Sequence, residues 1–247
     1  MSESLLPRPS RRRFLSAAGA AVASAALVAC TTARPPRREP LPVRPAEPPA
    51  GSYAAMYGPM VDDGHAIPGI PLNQIEERYL RQMVPDPTGE QPGTIVVDTG
   101  NHYLYLVREG GMAMRYGVGL GREGFEWAGR GEIQWKQPWP RWFPPDEMID
   151  RQPELEKYRA RQIPGTNDWE GGMEAGITNP LGARALYIFQ DGKDTLYRIH
   201  GSPEWWSIGK SVSSGCVRLM NQDIIDLYDR VPEGSPVLVR SAGSPLA

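Results

Sequence analysis

The sequence predicts a mainly β domain, either a sandwich or a partly open barrel, with a few short helices. Three observations lead to this fold class. Short runs of β-branched and aromatic residues recur from Thr94 to Arg240, and few segments have helical spacing. No strand–helix–strand alternation is present, which argues against a parallel α/β sheet. With 247 residues and 40% hydrophobic content, the chain can build one domain with a substantial core.

Residues 1–30 have the features of an export signal. The sequence SRRRFL at 10–15 opens an alanine-rich apolar run that ends at Ala29, short of the about 20 residues of a membrane-spanning helix. Its paired arginines are typical of a twin-arginine signal, and LVAC at 27–30 resembles a lipobox. We therefore expect export to the periplasm, with Cys30 lipidated and holding the protein to a membrane. Ordinary signal-peptidase cleavage near small residues is the alternative.

A proline-rich segment, residues 31–52, is expected to act as an extended tether. The chain has a net charge of −2, and removal of residues 1–29 takes away four arginines and one glutamate. The mature protein is therefore more acidic still, and its remaining arginine cluster lies in the tether. A nucleic-acid partner is excluded because no basic surface remains in the folded part.

Residues 53–93 form an N-terminal extension that is expected to pack on the main domain. Its segment LNQIEERYLRQMV, residues 72–84, has apolar residues at helical spacing and ends before Pro85. This pattern predicts a short helix.

The main domain is predicted to cover residues 94–240, with 241–247 as a tail. The runs TIVVDT, HYLYLV and MAMRYGVG predict a meander of antiparallel strands. ALYIF and TLYRIH flank QDGKD, whose Asp and Gly residues suit a hairpin turn. NQDIIDLYDRV predicts a short amphipathic helix with Asn221 as its N-cap, and PVLVR at 236–240 is expected to close the domain as a strand.

Residues 139–162 interrupt the strand pattern with tryptophan and proline. Pro145 and Pro153 are expected to start helical turns in this insertion, which either packs over the sheet or acts as a substrate lid. Most of the tryptophans are expected to fill the core. Trp205 and Trp206 are equally consistent with packing and with a substrate groove, because they lie between His200 and Cys216.

Cys216 and His200 are the candidate catalytic pair. A thiol needs a nearby base to become a thiolate near neutral pH. His200 ends the predicted strand TLYRIH and comes shortly before the SSGC sequence, so the two could face each other. A Cys30–Cys216 disulfide is the structural alternative in an oxidising compartment.

Four residues around the pair are candidates for supporting roles. Gly215 allows a close backbone approach, and its amide with that of Cys216 could hold an oxyanion. Ser213 and Ser214 would shape the loop. Arg218 offers a fixed positive charge that either binds a substrate carboxylate or braces the loop.

Taken together, IHGS at 199–202 and SSGCVRL at 213–219 resemble the signature of the YkuD-type L,D-transpeptidases. The resemblance extends from Tyr53 to Arg240 through GTIVVDTGNHYLYLV, GVGLGREGFEW and NPLGARALYI. It implies a YkuD-like β fold and a cysteine acyltransferase that needs no cofactor. One departure is Ser214, which stands where many members have histidine. The family's proposed base is the earlier histidine, matched here by His200.

The resemblance also implies a substrate and a set of roles. Cys216 would attack the third residue of a peptidoglycan tetrapeptide stem and release D-alanine, His200 would move the proton, and Gly201 would orient the imidazole through its carbonyl. An amine acceptor would give a 3→3 cross-link or attach another protein, and water would give carboxypeptidase activity. Carbapenem-type inhibitors are expected to acylate Cys216. A catalytically weak wall-binding lipoprotein of the same fold is the alternative, supported only by Ser214.

The remaining histidines indicate no metal site. His65 is expected to be exposed and His102 to lie on a surface strand, and their separation gives no ligand spacing. The glycines of GVGLGREG are a weak dinucleotide signal without a following βαβ unit. A papain-type peptidase is disfavoured because no histidine follows His200.

Overall fold

The computed structural model describes residues 52–121, 127–166, 168–213 and 215–241. The predicted signal with Cys30, the tether up to Gly51, and Ser214 lie outside the described residues, as does the tail from residue 242. Within the part of the chain described, no helix is long and apolar enough to cross a membrane.

Short strands dominate the described residues. The strands are β1 (Met60–Asp62), β2 (His65–Ile67), β3 (Gln82–Pro85), β4 (Ile95–Asp98), β5 (Tyr103–Arg108), β6 (Met112–Gly117), β7 (Leu120–Gly121), β8 (Gly129–Pro138), β9 (Arg161–Gln162), β10 (Trp169–Glu170), β11 (Arg184–Gln190), β12 (Lys193–Ser202), β13 (Ser211–Ser213), β14 (Val217–Met220) and β15 (Pro236–Arg240). The α-helices are α1 (Ser52–Met56), α2 (Asp146–Arg151) and α3 (Asn221–Arg230), and the 3-10 helices are Leu72–Gln74, Glu77–Tyr79, Pro153–Tyr158 and Trp205–Ser207. The predicted mainly β fold class is confirmed.

Nine of these strands form one mixed sheet in the order β14-β12-β11-β8-β15-β4-β5-β6-β3. The meander β4-β5-β6 and the hairpin β11-β12 are antiparallel, as the sequence predicts. Two neighbouring pairs are parallel, β12 with β14 and β15 with β4. The parallel β12-β14 pair brings the ends of two sequence-distant segments together, and these segments carry His200 and Cys216.

The sheet curls so that its two ends approach each other without closing into a barrel. Gly119, two residues after β6, exchanges two backbone hydrogen bonds of 2.9 Å with Arg218 of β14. A Cβ atom on Gly119 would lie 2.7 Å from the carbonyl oxygen of Ser207, so only glycine fits this approach. The edge strand β14 of the nine-stranded mixed sheet is therefore also bonded to the segment that follows β6.

Helix α3 covers one face of the strands β14, β12 and β11. Ile224 and Leu227 of the helix are fully buried and join Ile199, Val217 and Leu219 in the main core. Burying each side chain of this size contributes roughly 1.5–3 kcal/mol. Because side chains alternate along a strand, the residues between these core positions point to the other face of the sheet.

The N-terminal extension contacts the main domain through buried polar groups. The Tyr57 hydroxyl donates to Asp223 of α3 at 2.9 Å and accepts from the Arg81 backbone amide at 2.5 Å. Asp62 accepts two hydrogen bonds from Arg184 of β11, at 2.7 and 2.8 Å. Buried polar groups of this kind are costly to leave unpaired, so these contacts fix the position of the extension.

The helix predicted for residues 72–84 is wrong. Two 3-10 helices and the strand β3 occupy this segment instead, and Ile75 and Leu80 are extended. Met83 pairs with Met114 of β6, so the backbone gains ladder hydrogen bonds that a helix could not make. Tertiary pairing thus overrides a local helical pattern.

Both remaining histidines lie in surroundings other than those predicted. His65 is half-buried because its ring stacks on Trp139, with centroids 3.9 Å apart. His102 lies in the turn before β5 with a positive φ of 59°, and its Nε2 is 3.0 Å from the Ser211 hydroxyl. His65 is therefore only partly exposed, and His102 lies in a turn instead of a strand.

Two further predictions need correction. Met220, rather than Asn221, is the N-cap of α3. The Asn221 side-chain oxygen instead accepts a hydrogen bond from the Ala183 backbone amide at 3.0 Å, which ties the helix to the residue before β11. Trp135 was expected to pack in the core but is 48% exposed, because its position in β8 faces away from α3.

Candidate active site

The parallel register of β12 and β14 determines which side chains share the face opposite α3. His200 pairs with Arg218, and Ile199 pairs with Val217. Continuing the register by one residue places Cys216 beside Arg198. Strands are about 4.8 Å apart and two residues along a strand span about 6.6 Å, so Cys216 and His200 are diagonal neighbours on one face.

His200 is held in one tautomer by its own strand. The residue is 4% exposed, and its Nδ1 lies 2.6 Å from the backbone carbonyl oxygen of Gly201. A carbonyl oxygen can only accept a hydrogen bond, so Nδ1 carries the proton and Nε2 is left as a proton acceptor. This is the form of imidazole that can act as a general base.

Burial keeps the His200 imidazole neutral. Loss of water lowers its pKa to about 4, the Gly201 hydrogen bond opposes this, and the charges of Arg218 and Arg198 lower the pKa further. An imidazole with this pKa is almost entirely unprotonated at neutral pH. The base therefore has an available lone pair in the resting state.

Cys216 rests as a neutral thiol. The residue is half-buried, and burial raises the pKa of its thiol. A hydrogen bond from the Arg198 backbone amide and the charges of Arg198 and Arg218 partly offset that rise. Because the thiolate is the reactive form, this cysteine needs a base to remove its proton. A neutral thiol beside a neutral imidazole is suited to proton transfer coupled to nucleophilic attack.

Gly215, which precedes the thiol, has a backbone conformation that favours glycine. Its φ is +128°, although an added Cβ would meet only Tyr197 at an ordinary 3.5 Å. The backbone angle, rather than lack of space, therefore disfavours other residues here. Upstream, β13 pairs in parallel with β7, which holds the segment leading to Cys216.

Arg218 is held by an acidic partner. Its guanidinium donates to Glu204 with an N–O distance of 2.6 Å, and 18% of its side chain is exposed. The guanidinium and His200 extend from paired positions on the same face. Arg218 is therefore positioned near the thiol, with Glu204 occupying the carboxylate-binding end of its side chain.

The other predicted site residues have mixed surroundings. Trp205 is partly buried against the cluster that contains Tyr79 and Ile208, whereas Trp206 is 53% exposed. Ser213 ends β13, and Ser214 lies outside the described residues. Trp205 thus packs, and Trp206 remains accessible to a ligand.

Arg198 and Glu204 are two site residues that sequence reasoning missed. Arg198 lies beside Cys216 and donates to Asp194 through both terminal nitrogens at 2.7 Å. A signal for Arg198 was present, since it stands two positions before His200 in TLYRIH and must share its face. Strand alternation does not predict the position of Glu204, because Glu204 lies beyond the end of β12.

The described residues contain no cluster of three or more histidine, cysteine, aspartate or glutamate side chains that could hold a metal ion.

Comparison with known proteins relates this arrangement to one family. The sequence profile of YkuD, the L,D-transpeptidase catalytic domain, matches residues 92–239. The chain belongs to the YkuD family of L,D-transpeptidase catalytic domains. This confirms the resemblance carried by IHGS and SSGCVRL.

Similar YkuD-family proteins come from several bacteria. The chain is 33% identical over 148 residues to "Probable L,D-transpeptidase YbiS" of Escherichia coli K12, covering 58% of this chain and 43% of that protein. It is 31% identical over 202 residues to "Probable L,D-transpeptidase ErfK/SrfK" of Salmonella typhimurium, covering 77% and 59%. The chain thus spans about half the length of the curated relatives it matches.

A solved structure is also similar to this chain. A crystal structure from Brucella melitensis, described as a probable carnitine operon oxidoreductase, is 44% identical. It covers 64% of this chain and 91% of that one, with a TM-score of 0.44. Family membership here rests on the sequence match over residues 92–239.

Proposed function

We propose that this protein is an L,D-transpeptidase that acts on peptidoglycan stem peptides through a thioacyl-enzyme on Cys216. The single observation that carries the proposal is the His200 tautomer. Nδ1 is committed to the Gly201 carbonyl at 2.6 Å, so Nε2 is the acceptor on the face shared with Cys216. Family membership supplies the reaction class.

The acylation step transfers one proton and exchanges one bond. Nε2 of His200 takes the Cys216 proton while the sulfur attacks the carbonyl carbon at the L-centre of the third stem residue, diaminopimelate. The amides of Gly215 and Cys216 stabilise the oxyanion that forms. The C–N bond to the terminal D-alanine then breaks, and the imidazolium gives its proton to the departing amine. A thioester and free D-alanine result.

The second step returns the enzyme to its starting state. His200 removes a proton from an acceptor amine of a neighbouring stem, and the nitrogen attacks the thioester carbonyl. The C–S bond breaks and the leaving thiolate recovers the proton from His200. A 3→3 cross-link forms, whereas water as the acceptor gives carboxypeptidase activity.

The decisive experiment is intact-mass analysis of the full chain with a carbapenem, which resembles the acyl donor. Wild type should gain the mass of one inhibitor, and Cys216→Ala should gain none while its circular dichroism is unchanged. The same substitution should abolish the formation of 3→3 cross-links in isolated sacculi, measured by mass spectrometry of the muropeptides that digestion releases. An adduct on Cys216→Ala, or none on wild type, would contradict the proposal.

Export and anchoring are part of the proposed function because the substrate lies outside the cytoplasm. We expect Cys30 to carry the lipid after twin-arginine export. Cys30→Ser should move the protein from the membrane to the soluble fraction of the periplasm. A variant that still sediments with membranes would show that the lipid anchor is wrong.

A further inference from the structure

Trp135 is an exposed aromatic side chain on the same sheet face as the catalytic pair. Tyr187 of β11 pairs with Arg198 on one side and with Trp135 of β8 on the other. Since Cys216 lies beside Arg198, the four residues form one row across four neighbouring strands. The row leads from the nucleophile to the indole.

In the outer half of this row, the Trp135 indole and the Arg198 guanidinium both pack against the Tyr187 ring, so the accessible aromatic surface is that of the indole. The rings of Trp135 and Tyr187 have centroids 4.1 Å apart and an interplanar angle of 30°. The Arg198 guanidinium carbon lies 4.4 Å from the centroid of the Tyr187 ring. The Asp194 carboxylate accepts two hydrogen bonds from that guanidinium. These contacts hold the Trp135 indole in place and leave the residue 48% exposed.

Polar groups border the aromatic surface. The Gln137 side-chain oxygen is 3.4 Å from the Tyr187 hydroxyl. Gln137 belongs to the next row on this face, through Ala185 to His200. An aromatic face flanked by an amide and a guanidinium offers both stacking and hydrogen bonds, which suits a ring that has an apolar face and polar edges.

The distance from Cys216 to this surface matches the geometry of the proposed substrate. Three strand spacings separate Trp135 from the nucleophile's strand, about 14 Å. Three to four extended residues of a stem peptide span about 10–14 Å. When the third stem residue is at Cys216, the sugar that carries the stem can therefore reach Trp135.

We infer that Trp135, held in place by Tyr187, forms a subsite for an amino-sugar ring of the glycan strand whose stem is being cleaved. This inference rests on the proposed function, because it places the stem's third residue at Cys216. The subsite makes the enzyme prefer stems that are still attached to glycan over free peptides. Trp135 acts in binding and takes no part in bond making.

The test compares two ligands that differ only in the sugar. The full chain is used in detergent and carries Cys216→Ala, because this substitution prevents turnover of the ligands. Calorimetry then gives the dissociation constants of a free tetrapeptide and of the same tetrapeptide attached to its disaccharide. The disaccharide form should bind about 3- to 10-fold more tightly, since one aromatic stacking contact is worth a factor of that size. Introducing Trp135→Ala into the Cys216→Ala chain should remove the tighter binding of the disaccharide form and leave the affinity for the free tetrapeptide unchanged.

Trp169→Ala is the matched control, because Trp169 is also exposed, at 54%, but lies on β10 away from this row. It should retain the full sugar advantage, and Trp135→Phe should retain part of it. Equal affinities for the two ligands would overturn the subsite. So would an equal loss for both ligands in Trp135→Ala, or the same loss in Trp169→Ala.

A separate measurement distinguishes failure of the subsite from failure of the proposed function. Wild type is incubated with the free tetrapeptide and its mass is recorded. A thioacyl-enzyme without any sugar advantage would overturn only the subsite. A Trp135-dependent sugar advantage without a thioacyl-enzyme would support the subsite and overturn the transpeptidase mechanism.

Discussion

His200 and Asp223 are both buried ionisable groups near one end of the sheet, yet they have opposite surroundings. His200 is on the face of β12 opposite α3, beside the half-buried Cys216. Asp223 is in the first turn of α3, fully buried, and its carboxylate accepts from the Tyr57 hydroxyl at 2.9 and 3.2 Å. Burial lowers the pKa of His200 to about 4 and raises that of Asp223 to about 7.

The comparison separates a reactive site from a structural one. At Asp223, the Tyr57 hydroxyl and the charge of Arg81, 3.7 Å away, oppose the effect of burial and close the site around the carboxylate. At His200, only Nδ1 is committed within the strand, and Nε2 shares a face with the thiol. A shifted pKa indicates a functional role where the ionisable group keeps an atom available for reaction. It indicates a structural role where hydrogen-bond and charge partners surround the group.

The largest effect should come from His200→Gln, which removes the base and preserves the size of the side chain. Acylation by a carbapenem should slow by about 10²- to 10⁴-fold, the usual contribution of general acid–base catalysis. Stopped-flow measurement at rising pH should show partial recovery, because the thiol then ionises unaided. Ser214→Ala should cost little, and an equal loss in Ser214→Ala would contradict the assignment of His200 as the base.

The pH dependence of stability should have opposite signs at the two sites. His200 has a folded pKa below its ordinary 6.5, so its contribution to the free energy of unfolding is lost as pH falls from 6.5 to about 4. Asp223 has a folded pKa above its ordinary 3.8, so its contribution is lost as pH rises from 3.8 to about 7. Each contribution is on the order of 3–4 kcal/mol.

Urea unfolding between pH 4 and 6.5 can resolve these opposing contributions. Asp223→Asn should become more stable as pH rises, because the His200 contribution remains. His200→Gln should become less stable over the same range, because the Asp223 contribution remains. Parallel pH profiles for the two variants would show that at least one pKa direction is wrong.

Tyr57→Phe should affect only the structural site. It leaves Asp223 and the Arg81 backbone amide without the hydroxyl that they share, which should lower the free energy of unfolding by about 1–3 kcal/mol. The carbapenem acylation rate should not change. The double variant Tyr57→Phe/Asp223→Asn should lose less than the sum of the two single losses, and strict additivity would show that the hydrogen bond contributes nothing.

Arg218→Lys should have the smallest effect, at the rim of the reactive site. Lysine keeps the charge but loses the fork that can bind a carboxylate in two places. We expect KM for a tetrapeptide donor to rise about 3- to 10-fold, with an unchanged melting curve because lysine keeps the positive charge beside Glu204. Arg230→Lys, which alters an ion pair with Asp226 on α3, is the control. Equal KM values for both variants would leave Arg218 as a brace for the loop.

Much of the fold was predictable because its strands are short and locally regular. Alternation and turn residues located the meander and the β11-β12 hairpin, and composition identified the chain's β character. The helix prediction for residues 72–84 failed because the same spacing of apolar residues fits both a helix and an irregular segment that ends in an edge strand. Pairing of Met83 with Met114 decided between them, and that contact joins segments far apart in sequence.

The sequence by itself determined which groups could do the chemistry: Cys216 and, of the three histidines in the folded part, His200, each next to a glycine and in the order that the YkuD resemblance implies. Only the tertiary structure decided their state and neighbours. Parallel pairing of β12 with β14 set His200 and Cys216 on one face, and burial fixed both groups in their neutral forms. The row of side chains from Cys216 to Trp135 also depends on the register of four strands. Strand register decides which side chains are neighbours on a face, and it is set by pairing between segments that are distant in the chain.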